Sequence, residues 1–289
     1  MAPFARDAAA SPPLREWVGR TERHTDHVAA TPLRALAATL DRDDPPATEG
    51  TPIAPLRHWL YFLPIHARRE IGADGHARRG GFLPPVPLPR RMWAGGRLEF
   101  RADVRVGDAI TRESRIVSVE EKHGKTGALV FVVVRHEIRT PRELAIVEEH
   151  DIVYREASTS AGAAAGRSAP TDPAWRVDIV PDPVLLFRYS ALTFNGHRIH
   201  YDWRYVTEVE GYPDLIVHGP LIATLLLDLL RHQLPEADVA RYEFRAVRPL
   251  FDLHPFFVCG EPHDDGKTFR LWARDHEGFL AMEATAVVR

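Results

Sequence analysis

Two kinds of hydrophobic pattern divide the chain: short runs rich in Val, Ile and Phe between turn signals, and one long stretch apolar on nearly every side. Runs at 98–102, 115–119, 128–138 and 145–154, separated by signals such as His123-Gly124-Lys125, read as strands. A second series at 242–246, 256–260, 268–274 and 280–288 is separated by Asp264-Asp265-Gly266 and His276-Glu277-Gly278. The two series open alike, on Leu98-Glu99-Phe100-Arg101-Ala102 and Tyr242-Glu243-Phe244-Arg245-Ala246. The shared order of strands, more than that five-residue match, indicates a duplicated unit.

A helix precedes each series. Residues 220–233, PLIATLLLDLLRHQ, are interrupted chiefly by Asp228, Arg231 and His232 and predict a buried helix. Gly219 and Pro220 stand where a helix begins. The counterpart in the first unit is Pro32 to Leu40, PLRALAATL. Sheets paired with single helices make the fold class α+β.

Residues 157–172, ASTSAGAAAGRSAPTD, have a linker's composition. They divide the chain into an N-terminal unit, 1–156, and a C-terminal unit, 173–289. Residues 51–96 fit neither pattern. Pro84, Pro85, Pro87 and Pro89 force an extended backbone there. Trp59, Tyr61, Phe62, Phe82 and Trp93 add apolar surface, so the segment is either a connecting loop or an ordered flap over a ligand.

Composition narrows the function. Of 289 residues, 45% are hydrophobic and 27% charged, as in a globular protein. With 37 basic and 40 acidic residues the net charge is -3, which argues against nucleic-acid binding through a basic field. No apolar run reaches the roughly 18 residues a membrane span needs. Met1 to Pro13 carries no apolar core and reads as a frayed cytoplasmic N-terminus rather than a secretory signal. The single cysteine, Cys259, excludes an internal disulfide and sits in a strand pattern as a core residue.

Chemistry concentrates between Arg188 and His218. Asn195-Gly196-His197-Arg198-Ile199-His200-Tyr201-Asp202 packs two histidines, an asparagine and an aspartate into eight residues. His200 is the residue type suited to take and return a proton near neutral pH. Asn195 can position water but cannot accept a proton. The Gly219 amide, at the positive end of the buried helix, is placed to polarise a carbonyl. An extended 199–202 would put Asp202 on the face of His200; a cap or surface ion pair is the other reading of Asp202. His197 reads as a turn residue and His218 as a helix-entry residue. His197 and His200 stand at i, i+3 with no nearby cysteine or fixed third ligand, so neither metal nor cofactor is expected.

These residues resemble the hydratase motif of the MaoC-like hot-dog family of enoyl-thioester hydratases and dehydratases, Asp-x-Asn-Pro-x-His followed by His-Gly at the central helix. His200 falls on the family's histidine, Gly219 on its oxyanion donor, and Asn195 departs from its aspartate. SALTFNGHRIHYD, EGYPDLIVHGPLIATLLLDLL and FLPPVPLPRRMWAGGRLEF are similar to the branch of mesaconyl-C4-CoA and itaconyl-CoA hydratases and mitochondrial 3-hydroxyacyl-thioester dehydratases. The resemblance implies a double hot-dog fold, each unit a sheet wrapped around a helix. It also implies a hydro-lyase acting on a short-chain acyl-CoA, with His200, Asn195 and Gly219 catalytic. A dicarboxylic acyl group would need a cation, and Arg198, Arg90 and Arg91 are candidates, with Trp93 beside them. Leu225, Leu226 and Leu227 could fill a channel for longer chains. The N-terminal unit carries no matching Asn/Asp-plus-His group and is expected to be the structural half. Self-association into a homo-oligomer is expected. Hot-dog domains also serve as non-catalytic thioester binders, which leaves that alternative open.

Overall fold

A computed structural model describes residues 13–124, 127–156 and 166–289. The first twelve residues, Lys125 of the expected turn with Thr126 after it, and 157–165 of the expected linker lie outside the described residues. The remainder of that linker docks on the sheet: Leu280 donates its backbone N–H to the Arg167 carbonyl at 2.8 Å, and Ala169 is buried.

Ten strands form one antiparallel sheet. In chain order they are β1 (Thr21–His27), β2 (Arg90–Phe100), β3 (Ala109–Gly124), β4 (Gly127–Arg139), β5 (Leu144–Arg155), β6 (Trp175–Ile179), β7 (Val239–Ala246), β8 (Phe256–Pro262), β9 (Thr268–Arg274) and β10 (Leu280–Val288). Across the sheet they run β1-β3-β4-β5-β2-β7-β10-β9-β8-β6. The order reads the same from either edge once β1 is matched to β6, β2 to β7 and β5 to β10. The duplicated stretches are the two central strands, joined edge to edge with Leu98 opposite Tyr242.

Helix α1 spans Ala30–Thr39, α2 Pro183–Leu192 and α3 Gly219–Gln233. Helix α3 is the buried helix expected. Leu221, Ile222, Ala223, Leu226, Leu227, Leu229 and Leu230 are all buried, each large side chain stabilising the fold by about 1.5–3 kcal/mol. It packs on β8, β9, β10 and β6. The charge in its middle is neutralised. Asp228 accepts two hydrogen bonds of 2.9 Å from Arg57 and one of 3.1 Å from Arg231, and also pairs with Arg42. Burial alone would raise the Asp228 carboxyl; the guanidinium groups of Arg57 and Arg42 more than offset it and hold it below its ordinary value.

The expected equivalence of 32–40 with α3 does not hold. Helix α1 follows β1 as α2 follows β6, and these two helices pack on each other. In the N-terminal half, the place between that helix and the central strand belongs to residues 51–89, which form only 3-10 turns at Arg57–Leu60 and Arg68–Glu70. Proline and glycine there deny a continuous helix. The extended proline run is instead held by Arg79, which donates to the carbonyls of Val86, Leu88 and Pro89 and lies over the Tyr154 ring. Val86 packs with Ile116, Val130, Val132, Val134 and Tyr154 on the inner face of the N-terminal strands. Residues 51–89 are therefore an ordered cover over that sheet, and among the described residues no long helix fills its concavity.

Candidate active site

The unfilled concavity opens into a cleft of about 1470 Å³ that continues to the amino end of α3. The local chain explains why the chemistry gathers there. Two residues beyond the end of α2, Phe194 takes a left-handed conformation (φ 49°), and the Asn195 N–H bonds the Ser190 carbonyl at 2.8 Å. Asn195 Oδ1 then accepts the His197 N–H at 3.0 Å, an Asx turn that leads into a 3-10 turn at Arg198–His200. The extended conformation expected for 199–202 is not found.

His200 is buried, and its Nδ1 lies 2.7 Å from the Ile216 carbonyl oxygen. A carbonyl can only accept, so Nδ1 carries the proton and neutral His200 presents an unprotonated Nε2. Burial pushes its pKa down to about 4, against the raising effect of the Ile216 bond. Its ring stacks on His218 with centroids 3.7 Å apart. His218 immediately precedes α3, so the stack sets His200 beside the helix's amino end. His218 is wholly buried, with Nε2 2.8 Å from the Ser190 hydroxyl, and burial holds its pKa well below the ordinary histidine value. Pro220 has no N–H, and the Gly219 N–H makes no hydrogen bond among the described residues. A Cβ added at Gly219 would meet no atom closer than 4.0 Å, so the surroundings of this glycine are not crowded.

His200, Asn195 and Gly219 all line the cleft, as do Arg91 and Trp93. Arg91 lies beside the Tyr154 hydroxyl. Trp93 donates to the Gly95 carbonyl at 2.8 Å, and its ring lies 4.0 Å from that of His150. The other two expected substrate-binding arginines are not brought in. Arg198 makes two hydrogen bonds to Asp202 Oδ2, at 2.9 and 2.7 Å, and a third to the Ala73 carbonyl at 3.0 Å. Its acidic partner, Asp202, is thereby an ion-pair residue rather than an auxiliary carboxylate for His200. Arg90 is paired with Glu210 at 3.1 Å and lies over the Tyr212 ring. Leu226 and Leu227 are in the core, and none of Leu225–Leu227 lines the cleft.

The N-terminal half also lines the cleft. Register places Ser114, His136 and Glu148 side by side on the inner face, with His150 two residues on. Glu148 is 2% exposed and accepts from Trp59 Nε1 at 2.8 Å, His58 Nε2 at 3.0 Å and His150 Nε2 at 2.5 Å. This polar stripe lies in an otherwise apolar sheet face and borders the cleft. The exposed side chains that line the cleft include Arg68, Arg69 and Arg78 and the rings of Phe187, Phe194 and Tyr201. The flap also supplies Asp74 and His76, which no local motif links to 195–200. With His197 they bring three ligating atoms within 4.8 Å of one another. The absent third ligand in the sequence reading thus has neighbours supplied by the fold, although the Asp74–His76 contact is satisfied as a hydrogen bond of 3.0 Å.

Comparison with known proteins fixes the family. The model for hydroxyacyl-thioester dehydratase type 2 matches residues 56–252. The chain belongs to this family. It is a hydro-lyase with an α+β double hot-dog fold. Mesaconyl-C4-CoA hydratase of Chloroflexus aurantiacus is 44% identical over 270 residues, covering 93% of this chain and 95% of that one. The mitochondrial hydroxyacyl-thioester dehydratase type 2 of Schizosaccharomyces pombe is 27% identical, covering 81% and 88%. Among solved structures, a MaoC-like dehydratase from Phytophthora capsici shares the fold with a TM-score of 0.68 at 12% identity, covering 94% of this chain and 95% of that one. Within the described residues no helix is long and apolar enough to cross a membrane.

Proposed function

We propose that the chain catalyses reversible hydration of an α,β-unsaturated short-chain acyl-CoA carrying a second carboxylate, of the mesaconyl-C4-CoA or itaconyl-CoA type. The observation that carries this reading is the unprotonated His200 Nε2 held beside a free amide at the amino end of α3, both facing one cleft. The thioester carbonyl accepts the Gly219 N–H, and this stabilises the enolate that forms as water adds to the β carbon. Such a donor is worth about 3 kcal/mol in the transition state. His200 Nε2 removes a proton from the water and returns it to the α carbon. Asn195 Oδ1 is already bonded to the His197 N–H, so its amide NH₂ is the group left to orient the water.

The walls support this substrate class. A hydrocarbon tail reaching into the N-terminal half would meet His136, Glu148 and His150, whereas a short polar acyl group would not be penalised there. Arg91 makes no ion pair within 4.0 Å among the described residues and is the cation proposed for the acyl carboxylate. The exposed Arg68 and Arg69 of the cleft lining suit the CoA phosphates. The 44% identical relative, named for mesaconyl-C4-CoA, supports the same class. The proposed division of labour sets 173–289 as the unit carrying the motif and 1–156 as the unit forming the acyl chamber.

Hydration of mesaconyl-C4-CoA, itaconyl-CoA and crotonyl-CoA by the purified chain tests this. The dicarboxylic substrates should give the highest kcat/KM. Preference for crotonyl-CoA or longer chains would favour the hydroxyacyl-thioester dehydratase reading suggested by the fission-yeast relative. Binding without turnover of any substrate would leave only a thioester-binding protein.

A further inference from the structure

We infer that His76, oriented by Asp74, is a further catalytic residue that holds the attacking water for His200, in the role the hydratase motif gives to an aspartate. The inference rests on the hydration reaction proposed above and explains why position 195 functions without a carboxylate.

The flap brings this pair to the site through its backbone. Gly72 donates to the His76 carbonyl at 2.7 Å and Gly75 to the Gly72 carbonyl at 3.1 Å, so 72–76 is a tight turn. It is clamped onto the motif at two points: the Arg198 N–H bonds the Asp74 carbonyl at 3.0 Å, and Arg198 Nη1 bonds the Ala73 carbonyl at 3.0 Å. Gly75 (φ 90°) and Gly196 meet with no room for a side chain between them. A Cβ on Gly75 would stand 1.8 Å from the Gly196 oxygen, and one on Gly196 2.7 Å from the Gly75 oxygen. The glycine of the motif thus serves contact between two distant loops as well as a local turn.

The pair repeats the device that prepares His200. His76 Nδ1 lies 3.0 Å from Asp74 Oδ2, and the His76 backbone N–H also bonds Asp74 Oδ1 at 3.1 Å. The carboxylate can only accept, so His76 carries its proton on Nδ1 and presents Nε2 as an acceptor. Its ring is 4.0 Å from that of His197, which is 5.5 Å from that of His200. Both rings line the cleft, but His197 has no side-chain hydrogen bond among the described residues to fix its tautomer, whereas His76 has one to Asp74.

Two such acceptors can divide one water molecule between them. One O–H points to His200 Nε2 and the other to His76 Nε2, which leaves an oxygen lone pair for the β carbon. As the C–O bond forms, the π electrons move to the thioester oxygen at Gly219 and one water proton moves to His200. That proton then passes to the α carbon and the carbonyl reforms. His76 keeps its hydrogen bond to the new hydroxyl and undergoes no net protonation, so the step balances with His200 alone carrying the proton.

Steady-state kinetics on whichever enoyl-CoA the wild-type chain hydrates best test the assignment, with His76→Ala, His76→Gln, Asp74→Asn and His200→Ala in one series. His76→Ala should lower kcat about 100-fold while KM moves less than about threefold. Asp74→Asn should approach the same loss although the ring remains, because an asparagine can donate to Nδ1 and turn Nε2 into a donor. His76→Gln, whose amide oxygen can stand in for Nε2, should recover about tenfold over His76→Ala. Wild-type kcat should be insensitive to a metal chelator. A His76→Ala kcat within about threefold of wild type, with His200→Ala inactive, would overturn this inference and leave the hydratase intact. So would a stoichiometric metal that the Asp74 and His76 variants lose together with activity. A wild-type chain that hydrates no enoyl-CoA would remove both.

Discussion

The contact between the flap and the motif gives a prediction whose size can be worked from geometry. Gly75→Ala adds a methyl group 1.8 Å from the Gly196 oxygen, and contacts below 3.0 Å are not sustained, so the loop must retreat by at least 1.2 Å. It also places a side chain at φ 90°, which costs about 1–2 kcal/mol. Gly80→Ala supplies the control: its φ is 87°, but the nearest atom, Pro85 Cβ, is 3.6 Å away. Both variants pay the backbone term; only the first breaks the docking. A displacement of about 1 Å at a reacting centre can cost 100-fold. Gly75→Ala should therefore lower kcat/KM about 10- to 100-fold, or about 1.4–2.7 kcal/mol of transition-state stabilisation. Gly80→Ala should stay within about twofold. The assay is loss of enoyl-thioester absorbance on hydration, with thermal unfolding measured in parallel. Equal kcat/KM for the two variants would refute the docking of the flap as a requirement for activity.

Three other outcomes follow from the same structure. The His200 pKa is lowered by burial from its ordinary 6.5 to about 4, so the unfolded chain binds the proton more tightly than the folded one. Wild-type stability is therefore unaffected by this proton above pH 6.5 and falls by of order 3 kcal/mol as pH drops towards 4; the denaturant midpoint of wild type should fall relative to that of His200→Ala over that range, and parallel midpoints would contradict it. Asp228→Ala leaves the buried guanidinium groups of Arg42 and Arg57 without their shared partner and should cost about 3–5 kcal/mol by chemical denaturation. Replacing Arg68 and Arg69 together by Ala should raise KM for an acyl-CoA but leave that for the corresponding pantetheine thioester unchanged; an equal effect on both would remove these residues from phosphate recognition.

Legibility from sequence followed the reach of each interaction. The inner strands were readable because alternation is local: Val130, Val132, Val134, His136 and Ile138 are the buried positions of β4, two residues apart, whereas the edge strands β1 and β6 bury no residue and were not read. Helix α3 was readable because its apolar run is continuous, and His200 and Gly219 because a motif and a helix start mark them. The misassigned counterpart of α3 had another cause. The pattern pointed to a short helix at 32–40, found as Ala30–Thr39, but could not say that the N-terminal half has a proline-rich cover where the C-terminal half has α3. The arginines failed similarly. Arg198 and Arg90 carry the right charge, yet Asp202 and Glu210 hold them, and only folding brings those partners near. Asp74 and His76 reach His197 across more than a hundred residues, a contact encoded by two glycines whose purpose appears only when the loops meet.

The most direct measurement is the hydration rate of His200→Ala against wild type, on the best enoyl-CoA of the panel, with both proteins shown folded by circular dichroism. An imidazole acting on water beside the Gly219 amide predicts a fall in kcat of at least about 1,000-fold at unchanged melting profile. Retention of wild-type turnover by the folded variant would contradict it.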